Sequence, residues 1–489
     1  MNYVSTRGGT KKYSASEAVI RGLADDGGLF VPEYIPSLDI PVSMLAGMSY
    51  KETAYEVMKL FFTDYSEEEL KRCIDNAYDS KFDTGVIAPV VKRGDSFYLE
   101  LFHGRTIAFK DMALSILPHL LTCALHKNNI KDKVLIMTAT SGDTGKAALE
   151  AFADIEGTKI IVFYPKGGVS RIQERQMVTQ KGSNTKVVGV TGNFDDCQSA
   201  VKRMFSDPAL GEELAARGYR FSSANSINIG RLIPQIVYYV YSYAQMVDRG
   251  YIQENDKLNF TVPTGNFGNI LAAFYARQMG IPIGKLICAS NVNKVLYDFF
   301  QTGTYDKNRD FILTSSPSMD ILISSNLERL IYHSLGDDAA ANAALMNDLA
   351  QKGSYTVAGT SGKYLDVFEG IYATEEQVSD TIRSVYESCG YVIDTHTAVA
   401  AYADGIYRQK DDTASVIVST ASPYKFMSSV LGAIDAGLVS DDDFAMAEEL
   451  SKLSKVPVPA AVTKLKDAAI LHDTVCTVEG MKEQVRGFI

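Results

Sequence analysis

Apolar residues in the middle of the chain switch repeatedly between two rhythms. Val134–Thr140 (VLIMTAT) is a short β-rich run, and Lys159–Tyr164 (KIIVFY) and Lys186–Val190 repeat it, while 146–155 and 170–180 carry helical patterning. Strands separated by helical stretches of this length, with glycine-bearing turns between, predict a parallel sheet wound by right-handed crossovers. The rhythm returns with a strand over Leu258–Pro263, a helix over 270–279, a strand over Lys285–Ser290 and a late strand over 415–420. The first ninety residues differ, with turn-rich Asp25–Gly28 and helical stretches such as Tyr50–Phe62. The expected fold is therefore α/β: two open, mostly parallel wound sheets behind an N-terminal, mainly helical domain. The expected boundaries are 1–95, 96–225 for a smaller α/β domain and 226–489 for a larger one. An insertion near 300–375 combines a polar, loop-like 301–320 with an Ala-rich helix over 337–353.

Composition narrows the partners. The 489 residues carry 48 Lys+Arg against 59 Asp+Glu, a net charge of −11, and no long basic cluster, which argues against nucleic acid. An anionic small molecule needs only a local concentration of positive charge. The six cysteines lie at least 50 residues apart, without a C-x-x-C pair, and read as reduced thiols of a cytoplasmic protein. Residues 1–17 lack a hydrophobic signal core, and no run approaches the roughly 18 apolar residues of a membrane span. The six histidines show no metal-ligand spacing and no G-x-S-x-G elbow occurs, so no metal and no hydrolase serine are expected.

Four segments could carry chemistry. In Glu100–Leu114 (ELFHGRTIAFKDMAL), apolar positions 109, 112, 113, 116 and 117 mark a helix that Pro118 should kink or end, with Lys110 in its first turn. An amine there opposes the helix dipole, which lowers its pKa as a Schiff-base lysine requires, although a solvated lysine has the same local pattern. Ala139–Gly145 (ATSGDTG) and Val262–Asn269 (VPTGNFGN) each run from a strand end into a helix. Helix N-terminal amides there can hold an anion, or the loops can be simple capped turns. Ser419–Phe426 (STASPYKF) is a strand end bearing hydroxyls and Lys425.

In this order and at these separations the four segments resemble threonine synthase, a pyridoxal-phosphate enzyme of the tryptophan-synthase-β fold group. Tyr3–Gly8 (YVSTRG) with Gly22–Leu29 (GLADDGGL), and Ser223–Gln235 (SANSINIGRLIPQ), resemble the family's N-terminal and middle signatures, so the resemblance covers nearly the whole chain. It implies that pyridoxal 5′-phosphate sits in the cleft between the two sheets, joined to Lys110 as a Schiff base. Gly265, Asn266, Phe267, Gly268 and Asn269 would cradle its phosphate, Thr420 would face the pyridine nitrogen, and Asp143 would lie beside the 3-hydroxyl. A carboxylate facing a phenolate calls for a shared proton or a raised pKa.

Ser141, Gly142 and Thr144 would bind the substrate carboxylate, and Arg105, Arg231 and Lys425 are the candidate cations for its phosphate. The implied reaction is threonine biosynthesis from O-phospho-L-homoserine by β,γ-replacement, in a monomer or homodimer with no nucleic-acid or membrane partner. Arg105, Ser422 and Thr395 stand where the family usually has Pro, His and Pro, which bears on the substrate pocket. A phospho-lyase releasing 2-oxobutanoate from the same residues, or a non-catalytic ligand-binding relative, are the alternatives.

Overall fold

Three N-terminal helices, Ala15–Arg21, Tyr50–Met58 and Glu67–Ala77, begin with the same device. Ser14, Ser49 and Ser66 each accept from the backbone of a glutamate three residues on, whose carboxylate returns to the serine N–H. This reciprocal capping satisfies two orphan donors at each helix start. The computed structural model describes residues 1–140, 142–357 and 364–489. A small antiparallel pair, β1 (Tyr3–Ser5) with β2 (Phe30–Pro32), accompanies the helices.

The chain then lays down β3 (Val90–Arg93), β4 (Ser96–Glu100), β5 (Lys133–Ala139), β6 (Thr158–Pro165), β7 (Thr185–Thr191) and β8 (Tyr219–Ser222). There follow β9 (Leu258–Pro263), β10 (Ile283–Ser290), β11 (Thr304–Asp306), β12 (Ser354–Thr356), β13 (Phe368–Tyr372), β14 (Ser415–Ser419) and β15 (Val475–Thr477). Among the described residues, six strands form one sheet in the order β13-β10-β9-β14-β4-β3 and five form another in the order β15-β7-β6-β5-β8. Every neighbouring pair in these two sheets is parallel except β3 with β4. Strands covered on both faces need continuous apolar runs, and β9 is buried at all six positions.

The two wound sheets expected from the alternating pattern are present, but they do not divide the chain at single points. Residues 96–100 supply β4 to the six-stranded sheet, and 475–477 return as an edge strand of the five-stranded one. The contiguous limits 96–225 and 226–489 therefore do not coincide with the sheets. β4 escapes the strand-helix rhythm because it enters through an antiparallel hairpin with β3. The buried helix Ile229–Asp248 forms a spine against which the helices Val42–Ala46 and Tyr50–Met58 pack. A hydrophobic cluster running from Tyr3 to Val418 joins the N-terminal helices to both sheets.

Pro118 divides the helix expected around Lys110. Lys110–Leu114 is a short helix, and a second, Leu117–Lys127, starts with Pro118 in its first turn. That position tolerates proline, because its missing N–H would have no partner there.

Beyond β4, His103 bridges two carboxylates, with Nδ1 2.8 Å from Asp83 and Nε2 3.0 Å from Glu100. Burial alone would lower its pKa, but the two carboxylates outweigh it and push the imidazole up to about 9. The unfolded chain binds this proton only below its ordinary value of about 6.5. The stabilisation is thus fully present below about pH 6.5 and disappears as pH rises through 9. In urea unfolding, His103→Gln is expected to be destabilised by on the order of 2–3 kcal/mol at pH 6 and to approach wild type above pH 9. A pH-independent difference would contradict the charged clamp.

Candidate active site

Lys110 is the first residue of its helix, and backbone bonds fix it against the end of β14. Phe109 N–H donates to the Thr420 carbonyl (2.7 Å), Ala108 bridges to Ala421, and Ser422 N–H donates to the Ile107 carbonyl (3.0 Å). The preceding turn needs Gly104, because a Cβ there would stand 2.4 Å from Asp111 Oδ2. Asp111 in turn accepts from Thr106 N–H (2.8 Å) and Thr106 Oγ1 (2.6 Å), and burial raises its pKa to about 6.

The lysine faces Asp143, which opens the helix Asp143–Phe152 behind β5 of the other sheet. Lys110 Nζ lies 3.6 Å from Asp143 Oδ2, and Lys425 Nζ lies 2.8 Å from Oδ1. Gln173 Nε2 donates to the same Oδ1 at 3.0 Å. Burial would raise the Asp143 pKa, but Lys425, Lys110 and Gln173 hold it well below the usual carboxylate range. A carboxylate between two ammonium groups stays ionised. Lys110 is pushed down, chiefly by burial, with Lys425 and Arg231 adding to the effect and Asp143 opposing it. The direction is the one expected, but the main cause is lost hydration, not the dipole of a five-residue helix.

Arg231, on the buried helix 229–248, is only 3% exposed. Its Nη1 donates to the Ala224 carbonyl (3.1 Å), while Nε has no hydrogen-bond partner among the described residues. Burial lowers its pKa to about 10. A buried guanidinium without a carboxylate favours an incoming anion.

The GNFGN loop joins β9 to the helix Gly268–Gln278. Phe267 adopts left-handed backbone (φ +65°) and is fully buried, its ring 5.5 Å from Phe368 and 6.1 Å from Phe300. Burying that ring offsets a backbone strain of about 1–3 kcal/mol. The amides of Gly265, Asn266, Phe267 and Gly268 donate to no acceptor among the described residues, so four successive N–H groups are left free at a helix N-terminus. Asn269 is turned back, its Nδ2 on the Pro263 carbonyl (2.9 Å), and Asn326 N–H and Nδ2 hold the Asn266 carbonyl at 3.1 and 2.9 Å.

The structure brings Lys110, Asp143, Arg231, Thr420 and Lys425 together, but two of the expected phosphate cations are otherwise engaged. The Lys425 side chain has no exposure and donates to Asp143 and the Thr106 carbonyl (3.1 Å). Arg105 is half exposed and pairs with Glu150 at 3.1 Å. Gly142, in positive-φ backbone, and half-buried Thr144 flank Asp143, whereas Ser141 lies outside the described residues. Gln173, Ser318, Asn326 and His396 were missed, because their partners come from distant, unpatterned segments.

A buried amine biased toward its neutral form, beside a cradle of free amides that a Cβ at Gly268 would fill, suits a phosphorylated carbonyl cofactor. The fold is that of the pyridoxal-phosphate-dependent enzymes, and these residues fit pyridoxal 5′-phosphate as cofactor. The family description "Threonine synthase N terminus" matches residues 2–78, and "Pyridoxal-phosphate dependent enzyme" matches 93–420. Threonine synthase of Pseudomonas aeruginosa is 38% identical over 88% of this chain and 90% of its own length. The crystal structure of pyridoxal-phosphate-bound threonine synthase from Brucella melitensis is 36% identical, with a TM-score of 0.87 covering 100% of this chain and 99% of that one. Threonine synthase-like 1 of Macaca fascicularis is 38% identical over 95% of this chain, which spans 64% of that protein's length. The chain belongs to the threonine synthase family.

The loop's two glycines should behave differently. A Cβ on Gly265 would stand 2.4 Å from the Ser318 carbonyl, whereas on Gly268 its nearest neighbour is Asn326 Nδ2 at 3.5 Å. Gly265→Ala is expected to lower the melting temperature of the protein even without cofactor. Gly268→Ala should leave that temperature unchanged and weaken cofactor retention about tenfold or more, corresponding to about 1.4 kcal/mol of lost approach. Equilibrium dialysis against pyridoxal phosphate checks this, and full retention by Gly268→Ala would mean the loop does not hold the cofactor.

Proposed function

We propose that this chain converts O-phospho-L-homoserine and water to L-threonine and phosphate by β,γ-replacement. The observation that carries the reading is the buried Lys110 amine, biased toward its neutral form, beside two separate anion-receiving features: the free amides of 265–268 and the Arg231 guanidinium. A phosphorylated substrate acting with a phosphorylated cofactor calls for two phosphate-receiving features, and the substrate carboxylate for a third, which the N-terminus of the helix 143–152 can supply. The relatives named threonine synthase support the same reading.

In this reading Lys110 anchors the cofactor and afterwards moves protons at its Nζ. The amides of Gly265, Asn266, Phe267 and Gly268 hold the cofactor phosphate, with Asn269 and Asn326 keeping the loop in shape. Thr420, buried at the end of β14, would hold the ring nitrogen through its hydroxyl. When bound, the cofactor withdraws electrons from the substrate's α-carbon. Gly142, the N-cap of the helix 143–152, and Thr144, in its first turn, receive the substrate carboxylate through helix N-terminal donors.

Arg231 takes the substrate phosphate. Lys425 is reassigned from phosphate ligand to the fixed counter-charge that keeps Asp143 ionised and lowers the basicity of Lys110. A neutral amine can accept the α-proton and return it at a later carbon, and positioning it within the pocket replaces a bimolecular encounter.

The product separates this reading from the phospho-lyase. Purified enzyme incubated with O-phospho-L-homoserine in ¹⁸O-water is expected to yield threonine with one solvent oxygen in its hydroxyl. Arg231→Lys should raise KM for the substrate more than tenfold, because a point charge replaces the guanidinium fork. Dominant 2-oxobutanoate would place the chain with the lyase activity.

A further inference from the structure

The 3₁₀ turn Pro317–Met319 comes from the polar stretch between β11 and β12, far from the family's glycine loops in sequence. It places the Ser318 hydroxyl 3.3 Å from Lys110 Nζ and 3.5 Å from Asp143 Oδ2, between two groups that are themselves 3.6 Å apart. A hydroxyl there can accept from the lysine and donate to the carboxylate at once.

The rest of the turn is anchored. Ser318 N–H donates to His396 Nε2 (3.1 Å), and His396 Nδ1 lies 2.8 Å from Asp394 Oδ2. Asp394 has no exposure and caps the helix Thr395–Tyr407. Its carboxylate fixes the imidazole proton on Nδ1 and leaves Nε2 as an acceptor for the serine amide. The Ser318 carbonyl packs against Gly265. Two residues on, Asp320 accepts from Asn291 (2.8 Å), Asn293 (3.0 Å) and Thr314 Oγ1 (2.7 Å). A surface serine would not be tied down on this many sides.

We propose that Ser318 is a further catalytic residue, its hydroxyl stabilising the ammonium that forms when Lys110 takes the substrate proton, and that His396 and Asp394 are positioning residues for it. The proton leaves the substrate carbon and bonds to Lys110 Nζ. The new N–H donates to Ser318 Oγ, which keeps its own proton and donates it as a hydrogen bond to Asp143. No bond at the serine breaks. The proposal rests on the reading of Lys110 as the proton-transferring base.

Ser318→Ala tests the hydroxyl alone, since the backbone contacts to His396 and Gly265 do not need it. In the holoenzyme it is expected to lower kcat about 10- to 100-fold with KM within about threefold, and to enlarge the isotope effect with α-deuterated substrate. Ser318→Thr, which keeps a hydroxyl, should recover most of that loss. His396→Ala should reproduce the fall in kcat, with little added by combining it with Ser318→Ala. Independently of turnover, the pH midpoint for acylation of Lys110 in cofactor-free protein, read by peptide mass spectrometry, should fall in Ser318→Ala. Removing an acceptor from the charged amine disfavours that form, with Asp143, Lys425 and Arg231 still facing it.

Wild-type kcat with an unmoved midpoint, or equal impairment of the Ala and Thr variants, would overturn the proposal. Additive losses in the double variant would overturn the positioning role. Failure of the wild type to form product would instead defeat the function proposed above, and the acylation midpoint would still test the Ser318 contact.

Discussion

Burying three charged side chains together costs several kcal/mol per ion in lost hydration, and only close mutual contact with further hydrogen bonds offsets it. Asp143 makes those contacts with Lys425, Lys110 and Gln173. It stands on the helix that follows β5 of the five-stranded sheet, whereas both lysines follow strands of the six-stranded sheet. The triad thus joins elements of the two sheets through one buried cluster of charges. Its value lies less in stability than in the state it imposes: an ionised carboxylate, one lysine locked to it, and a second whose proton is loosely held. Apolar residues in these places would pack as well and would move no proton.

The same economy of contacts runs through the GNFGN loop. Phe267 sinks its ring among Phe300 and Phe368, which anchors the loop. Asn326 then grips the Asn266 carbonyl from outside, and the Ser318 carbonyl closes on Gly265. The polar stretch before β12 is therefore a wall of the site. Through Ser318 it touches both the Gly265 end of the GNFGN loop and Lys110.

Much of this was legible in the sequence because local signals and global fold agree. β9 was expected at Leu258–Pro263 and is found there, and β5, β6 and β7 fall within a residue or two of their apolar runs. Lys110, the two glycine loops and Thr420 were singled out by their order and separation taken together, through the resemblance to threonine synthase, since each segment alone also fits a solvated lysine or a capped turn. What stayed hidden depends on meetings between distant segments. Ser318 reaches Lys110 across 208 positions from a stretch with no periodicity. Lys425 was visible as a cation, but nothing near it announces that its partner is Asp143 and not a substrate phosphate. Arg105, set in a motif that suggested the pocket, is drawn instead to exposed pairing with Glu150.

The account turns on Lys425 acting on Lys110 through Asp143 and through its own charge. Lys425→Met removes that charge and leaves Asp143 with Lys110, Gln173 and Ser318 as partners. The direct measurement is the pH midpoint for acylation of Lys110 in cofactor-free protein, compared between wild type and Lys425→Met by mass spectrometry of the peptide containing Lys110. The wild-type midpoint should lie below the ordinary lysine value of about 10.4, and the variant's should move upward toward it. An unchanged or lower midpoint in the variant would contradict the account.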